Sequence, residues 1–514
     1  MKLFKAATAV MALSAFTAIF GLVREAVIAA EFGASVDTDA FYFARDLSLR
    51  LPEFLLPAIA GAAIPIFLRA KEDGQGQRFM STVLVGYVAL AGVVAILSFA
   101  LAPLIVDFLG AGFDEEAADT TVLMLRILAP AVVLTAAAGG LQVLLRAEGW
   151  FATSQFPQLF LSLAVIALVV FYADELGVAS VAIGLNVAVV LMVLWLGYWA
   201  WRAGFRYRSL LGRSDPLMRR FLLLLGPILA GSLLSWMIPI VDKSLASSLP
   251  AGAIAALSFG LRPVSVLRRI GISSLVVAAL PVLAWQSVHK TAKEVQLSVE
   301  RMLGVVVFAL TPVTVMMFIM RDQVIEILYE RGAFTSAATG VTADVFGAVV
   351  IGLVPMGLAE AASAVFNAKE NTKVPALYGA GVNLGVKLAL SPLLIIPFGV
   401  TGLAMSTTLM YTISAVIMLV LMKRRLVEVR LGRLTRTIFR ALIATVVAGA
   451  AVFAVTAWFE SALVILVVGG LAGSTVFIAL AHSLDIEELE FFRRKLADLV
   501  RRVRHGRQRT GMGS

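Results

Sequence analysis

The stretch that decides the fold spans residues 20–54 and reads FGLVREAVIAAEFGASVDTDAFYFARDLSLRLPEF. Seven of its nine charged residues stand inside or at the edge of apolar runs: Arg24, Glu25, Asp39, Arg45, Asp46, Arg50 and Glu53. A charge at membrane depth costs about 3 kcal/mol or more, so it normally faces a partner charge or a water-filled cavity. The pattern predicts a polar, arginine-lined cavity inside a helical membrane protein. Snorkelling to the interface is the alternative for residues near a helix end.

The composition also favours a membrane protein. Of the 514 residues, 60% are hydrophobic and 15% are charged, whereas soluble domains carry about 25% charged residues. The chain has no cysteine, which excludes disulfides and thiolate-bound metals, and its three histidines are too few and too scattered for a metal site. We attribute the net charge of +10 to cytoplasmic loops and expect no binding to nucleic acid.

Apolar segments of membrane-crossing length recur along the chain, and we count about fourteen spans. They lie near 6–31, 38–68, 80–109, 117–145, 152–173, 177–201, 219–246, 252–285, 299–321, 339–368, 373–396, 399–422, 434–459 and 461–482. The predicted fold is an all-α polytopic membrane protein. We assign an N-terminal lobe to 1–210 and a C-terminal lobe to 211–425, each of six helices, then two extra helices at 426–484 and a basic tail at 485–514.

Loop charges predict the orientation. Lysine and arginine concentrate after even-numbered spans, most strongly at 202–220 and 423–436, whereas the short loops after spans 3 and 5 are acidic. Such a bias marks the cytoplasmic side, so we expect both termini there. The first apolar run continues past Arg24 to Phe32 without a cleavage site, which favours a transmembrane helix over a signal peptide. The tail at 487–504 has a basic face, typical of a helix on anionic lipid or of a solvated helix end.

A weak internal repeat relates the two lobes. Span 2 ends with AAIPIFLRA at 62–70, and span 8 ends with AALPVLAWQ at 278–286. Paired lobes with proline-interrupted helices at matching positions are typical of transporters whose binding site lies between the lobes near the midplane. We find no phosphate-binding loop and no nucleophile–base pair in a loop, which favours a transporter over an enzyme. The expected driving force is a Na⁺ or H⁺ gradient or the membrane potential.

Arginines from both predicted lobes are candidate substrate ligands. Arg24 and Arg50 belong to the first lobe and Arg262 to the second, and planar guanidinium groups match phosphate oxygens. Their cluster predicts an anionic, phosphate-bearing substrate. Asp39 and Glu53 are expected to hold the arginines when substrate is absent, and structural ion pairs between the lobes are the alternative.

A second polar group is predicted where spans 7 and 11 meet. Asn383 and Lys387 lie four residues apart on one helix face and would approach Asp242 if the two spans pack together. Asp242 and Asn383 offer oxygen ligands for Na⁺. The ammonium group of Lys387 is the alternative, because it would occupy the same place as a built-in cation.

Three segments carry a resemblance to a known family. They read GLVREAVIAAEFGASVDTDAF at 21–41, LYERGAFT at 328–335 and NTKVPA at 371–376. On these segments the chain resembles the MurJ/MviN lipid II flippases of the MOP exporter superfamily, as a divergent member. The resemblance implies a V-shaped, MATE-like protein of the bacterial inner membrane. It would move the undecaprenyl-diphosphate-linked peptidoglycan precursor from the cytoplasmic to the periplasmic leaflet by alternating access, in contact with membrane lipids and the cell-wall synthesis machinery.

The resemblance also assigns residues. It implies that Arg24, Asp39 and Arg262, which precedes Pro281 at the family distance, face the cavity, and that Asp242 and Asn383 fall where some members bind Na⁺. This chain departs from the family pattern at four places: Thr17 and Ala18, Ala60 to Ala63, Ser265, and Lys387. Members of the family carry charged residues or an acidic-glycine motif at these places. They leave open a flippase for another undecaprenyl-linked glycan. The sequence also leaves open a MATE-like cation or drug antiporter and a scaffold of envelope assembly.

Overall fold

The computed structural model describes residues 2–212, 215–273, 283, 285–286, 289–369, 371, 373–426 and 431–490, of which 2–12, 273, 376 and 431–434 are described by their backbone alone. Every regular element in these ranges is a helix. This is the expected outcome for apolar segments in lipid, because a helix satisfies its own backbone hydrogen bonds where no water is available. The predicted all-α polytopic fold is confirmed.

The α-helices follow one another with short connections. In chain order they are α1 (Lys2–Phe32), α2 (Val36–Ser48), α3 (Arg50–Glu72), α4 (Gly76–Ala100), α5 (Ala102–Leu109), α6 (Glu115–Ala147), α7 (Phe151–Gln155), α8 (Gln158–Leu176), α9 (Ala179–Arg202), α10 (Pro216–Ala246), α11 (Ala253–Leu267), α12 (Ala292–Ile319), α13 (Arg321–Tyr329), α14 (Ser336–Val350), α15 (Leu353–Ala368), α16 (Ala380–Arg425), α17 (Leu431–Trp458), α18 (Ala462–Val464) and α19 (Gly470–Ser483). Three π-helical segments lie at Arg268–Ser273, Val374–Gly379 and Ile465–Gly469.

Polar residues near the helix starts act as caps. Ser35 accepts a hydrogen bond from the backbone of Thr38 at the start of α2, and Asp114 accepts one from Ala117 at the start of α6. Glu115 then stands in the first turn of α6, where a negative charge is stabilised by the helix dipole. The acidic loop after span 3 is therefore largely the capped N-terminus of the next helix.

The structure contains eleven helices that are long and apolar enough to cross a membrane, or twelve if the bent pair α14 and α15 is one span, within the described ranges. Helix α16 has 46 residues and a break at Gly399. At 1.5 Å per residue its two parts together measure about 69 Å, more than twice the about 30 Å of a hydrocarbon core, and the break divides them where spans 11 and 12 are predicted to meet. Predicted span 8 extends beyond α11 into 274–282, and these residues, which include Pro281, lie outside the described part of the chain. The count of fourteen stays a prediction.

Contacts group the chain into two compact units. The first comprises Met1–Ile270, Ile325–Val349 and Asn371–Ser414. The second comprises Gly271–Val324, Val350–Glu370 and Ala415–Ser514. The division into lobes at 210, 425 and 484 stays a prediction, because a grouping by contacts does not test the repeat, and most of the matching segment at 278–286 lies outside the described residues.

Each unit has its own apolar core. In the first, Ala138 and Leu145 of α6 pack against Val189, Met192 and Leu196 of α9. In the second, α12, α17, α19 and the residues that flank them share a core of Phe308, Met316, Met320, Ala444, Ala448, Val452, Ile465, Phe477, Ala481 and Ile486. The start of the tail docks on this core, where Thr437 donates a hydrogen bond to Glu488 (3.1 Å). Residues 491–514 lie outside the described part, so the basic interfacial helix stays a prediction.

Candidate substrate-binding cavity

The buried carboxylate of Glu25, in the first unit, forms ion pairs with two arginines. The Nη2 atom of Arg24 lies 2.6 Å from Oε1 of Glu25, and Nε of Arg262 lies 3.8 Å from the same oxygen. The hydroxyl of Tyr42 donates to Oε2 of Glu25. These residues come from α1, α11 and α2. The two arginines thus share one negative charge, which leaves one positive charge in excess.

The sequence of α1 makes room for this arrangement. Gly21 lies one turn before Arg24 and Glu25, on the same helix face. The guanidinium group of Arg262 lies where a side chain at residue 21 would begin, with its Cζ atom 3.5 Å from the position of a Cβ. Glycine therefore lets an arginine from α11 reach the carboxylate on α1.

A cavity of about 290 Å³ opens beside this group. Its charged lining residues are Arg24, Arg45, Glu53, Arg262 and Arg269. The volume lies at the lower end of the range of about 300–1,000 Å³ that is typical of ligand pockets, so the cavity can enclose part of a large molecule.

A second ion cluster stands at the junction of α2 and α3. Asp46 accepts hydrogen bonds from Arg45 and Arg50, each at 2.8 Å, and Glu53 lies 3.8 Å from Arg45. Arg50 thus reaches Asp46 and is not part of the cavity wall. Five arginines line the cavity or belong to the two ion clusters beside it: Arg24, Arg45, Arg50, Arg262 and Arg269. The same clusters contain three carboxylates, those of Glu25, Asp46 and Glu53. The site carries two positive charges in excess.

Asp39 binds the start of a helix. Its Oδ2 accepts the backbone N–H of Gly252 (2.8 Å) and its Oδ1 accepts that of Ala255 (2.6 Å). The carboxylate thus satisfies free donors at the N-terminus of α11, where the helix dipole favours negative charge. Asp39 is not among the residues that line the cavity. It links α2 to α11, the helix that carries Arg262.

The backbone where Asp39 binds the start of α11 requires a glycine at residue 252, and this requirement can be tested. Gly252 has a φ of +88°, and a Cβ atom there would lie 2.5 Å from the carbonyl oxygen of Ala34. We expect Gly252→Val to lower the thermal unfolding midpoint clearly, because a β-branched residue is strained at this φ and also collides with Ala34. Gly74→Val is the matched control, since Gly74 has a φ of +71° and nothing within 4 Å. Equal losses in both variants would contradict the proposed close packing at Gly252.

The second predicted polar group is an ion pair between α10 and α16. The ammonium of Lys387 lies 2.7 and 2.9 Å from the two carboxylate oxygens of Asp242. It also donates to the carbonyl of Leu403 and to the hydroxyls of Ser406 and Thr407, at 3.1, 3.0 and 2.7 Å. The side chain of Lys387 is fully buried. A sodium ion on Asp242 would have to displace this ammonium, so the sodium site stays a prediction.

Asn383 takes no part in that network. In the residues that the structure describes, no hydrogen bond joins Asn383 to Asp242, and the buried Oδ1 atom of Asn383 has no hydrogen-bond partner. The neighbouring Lys243 turns to another helix, where it donates to the carbonyl of Ile254 (3.1 Å) and to the hydroxyl of Ser258. The fold thus brings Asp242 to Lys387, with Asn383 left outside the bonded set.

Comparison with known proteins decides the family. A profile described as "Lipid II flippase MurJ" matches residues 28–470. The chain belongs to the MurJ family. A probable lipid II flippase MurJ of Rhizobium tropici is 28% identical over 486 residues, 90% of each chain. One of Thermotoga maritima is 23% identical over 482 residues, 92% of this chain and 95% of the other. Family membership makes the chain a transporter, and the predicted resemblance is confirmed.

Solved structures agree on the fold of the MurJ family and its superfamily. A lipid II flippase MurJ in an inward closed conformation matches with a TM-score of 0.79 at 22% identity, covering 97% of this chain and all of that chain. A multidrug resistance MATE family transporter of the MOP superfamily, in an inward-facing conformation, matches with 0.68 at 13% identity, covering 80% and 94%. These likenesses confirm the MATE-like membrane fold.

Several cavity residues were not selected from the sequence. The sequence marks Glu25 and Arg45 as intramembrane charges without giving them a role, because a sequence does not show which charges meet, and the structure adds Arg269 to the cavity. Thr17, one of the departures from the MurJ family pattern, also lines the cavity. Thr135, Gln142, Gln158 and Ser162 line it as well, and no charge marks them in the sequence. Their only sequence signal is that they are polar at positions surrounded by apolar residues.

Proposed function

We propose that this protein moves lipid II from the cytoplasmic to the periplasmic leaflet of the bacterial inner membrane. Family membership supports the substrate, and the observation that carries the proposal is the pair Arg24 and Arg262 on one carboxylate beside a cavity. A lipid diphosphate carries about two negative charges. The excess of two positive charges around the cavity would neutralise them.

In this mechanism Glu25 holds the arginines until substrate arrives. The diphosphate offers each guanidinium two oxygens in the planar geometry that arginine binds best, which a shared carboxylate does not. Arg24 and Arg262 would then turn from Glu25 to the diphosphate, while Tyr42 keeps Glu25 hydrogen-bonded. Glu25 would thus prevent two unpaired buried positive charges in the empty protein.

Alternating access requires contacts that close one end of the cavity and break when that end opens. Asp39 and the N-terminus of α11 lie at the loops after spans 1 and 7, which the loop charges predict to be periplasmic. We infer that these hydrogen bonds close the periplasmic end and must break before the cavity opens to that side. Both termini would be cytoplasmic. Contacts with the cell-wall synthesis machinery stay an implication of the resemblance.

The bonds of Asp39 can be tested with a single cysteine, because the chain has none of its own. In Thr17→Cys, a membrane-impermeant thiol reagent reports access to the cavity. Adding Asp39→Ala removes two charge-assisted hydrogen bonds, so we expect labelling from the periplasmic side to become at least about tenfold faster. Thr17→Cys alone is the control. Unchanged periplasmic labelling together with faster cytoplasmic labelling would contradict this gate.

The proposed function is tested by transport in vesicles that contain the purified full chain and lipid II in one leaflet. We expect lipid II to appear in the opposite leaflet with wild-type protein and to stay in place with Arg24→Ala. Transfer of a different undecaprenyl-linked glycan in preference to lipid II would overturn the assignment of substrate. Efflux of drug cations that persists in Arg24→Ala would favour the antiporter alternative.

A further inference from the structure

Four neutral polar side chains face the same cavity as the arginines. Thr135 and Gln142 belong to α6, and Gln158 and Ser162 belong to α8. Gln142 and Ser162 are only 2% and 3% exposed. None of the four has a hydrogen-bond partner among the residues that the structure describes. Buried polar side chains are nearly always hydrogen-bonded, so we expect Gln142 and Ser162 to bond to water or a ligand in the cavity, which the half-buried Thr135 and Gln158 also line.

The spacing of these residues places each pair on one face of its helix. Thr135, Ala138, Gly139 and Gln142 follow at intervals of three, one and three residues, which is one face of a helix, and all four line the cavity. Gln158 and Ser162 lie one turn apart on one face of α8 and line the same cavity. Ala138 and Gly139 add little volume between the two polar groups of α6. We call the surface formed by Thr135, Gln142, Gln158 and Ser162 the neutral wall.

We propose that the neutral wall binds the sugar that is bonded directly to the lipid diphosphate. This inference rests on the proposed function and adds a second part to the same site. Sugar hydroxyl and acetamido groups both donate and accept hydrogen bonds, as do the amide and hydroxyl groups of the wall. The wall carries no charge, so it suits the uncharged part of the headgroup. The cavity of about 290 Å³ holds the diphosphate and its first sugar rather than the whole headgroup.

The proposal is tested by the affinity of the purified full chain for three lipids. These are undecaprenyl diphosphate, undecaprenyl-diphosphate-linked N-acetylglucosamine, which has one sugar and no peptide, and lipid II. In Gln142→Leu we expect affinity for the two sugar-bearing lipids to fall about tenfold, because sugar groups lose their partner. Affinity for undecaprenyl diphosphate should change less than about twofold. Thr135→Val should show the same pattern with a smaller loss.

Controls separate this proposal from the function on which it rests. Thr121→Val makes the matched substitution on α6 away from the cavity, where Thr121 donates to the carbonyl of Ala117, and should leave all three affinities unchanged. Arg24→Ala should weaken all three lipids. Equal loss for all lipids in Gln142→Leu, no loss in either wall variant, or loss for lipid II alone would overturn the sugar site. Unchanged affinities in Arg24→Ala would instead overturn the proposed function.

Discussion

Arg24→Ala and Arg262→Ala are each expected to abolish growth in a strain that depends on this protein as its lipid II flippase. Each substitution removes one of the two guanidinium groups that share Glu25, and the remaining arginine is then neutralised by that carboxylate. Hydrogen bonds to charged groups contribute about 1.5–3 kcal/mol each, so the loss of a bidentate contact to the diphosphate weakens binding by at least about tenfold. Growth complementation with matched protein levels is the measurement.

Arg126→Ala is the matched control for that experiment. Arg126 also lies in a membrane helix, but it is exposed and its guanidinium lies over the ring of Phe99, away from the cavity. It should complement fully. Arg24→Lys should complement weakly, because lysine keeps the charge without the planar fork. Full growth with Arg24→Ala and Arg262→Ala would contradict the binding role of the two arginines.

Lys387→Met is expected to lower the free energy of unfolding by about 3–5 kcal/mol. The substitution leaves the carboxylate of Asp242 buried without its cation, and an unpaired buried charge is far more costly than the absence of the pair. The measurement is thermal or denaturant unfolding in detergent. This is the largest effect on stability that we expect from a single substitution in the first unit.

The double variant Asp242→Asn with Lys387→Met supplies the control. It removes both charges, and the hydroxyls of Ser406 and Thr407 keep their hydrogen bonds to the carbonyl of Leu403. We therefore expect stability to recover to within about 2 kcal/mol of wild type. A double variant as unstable as Lys387→Met would mean that the lysine stabilises the fold by packing rather than by charge.

The charged part of the site was largely predictable from the sequence. An arginine at membrane depth is costly enough that Arg24 and Arg262 predict a cavity or a partner on their own. Their common partner was not predictable, because Glu25 stands next to Arg24 in the chain but 237 residues before Arg262, and only the fold brings α11 to α1. Both the charge pattern and the resemblance predict Asp39 at the cavity, whereas its geometry is that of a helix cap.

The neutral part of the site and the backbone angle at one helix break could not be predicted from the sequence. Gln142 and Ser162 carry no charge, so their burial creates no signal comparable to that of an arginine. The sequence places the boundary between spans 11 and 12 at 396–399, and the structure has its break at Gly399. Its φ of +54° is open to glycine but is not readable from the sequence. The hydrophobic pattern thus locates the end of a span, but it does not give the backbone angle at which the chain continues.

The most direct test compares two lipids that share a tail and differ only in the diphosphate. Affinities of undecaprenyl diphosphate and undecaprenol are measured for the wild-type chain and for the double variant Arg24→Gln with Arg262→Gln. The wild-type chain should prefer the diphosphate by at least about a hundredfold, since two arginines each contribute charge-assisted hydrogen bonds. The double variant should lose most of this preference. A double variant that still prefers the diphosphate as strongly as wild type would contradict the account.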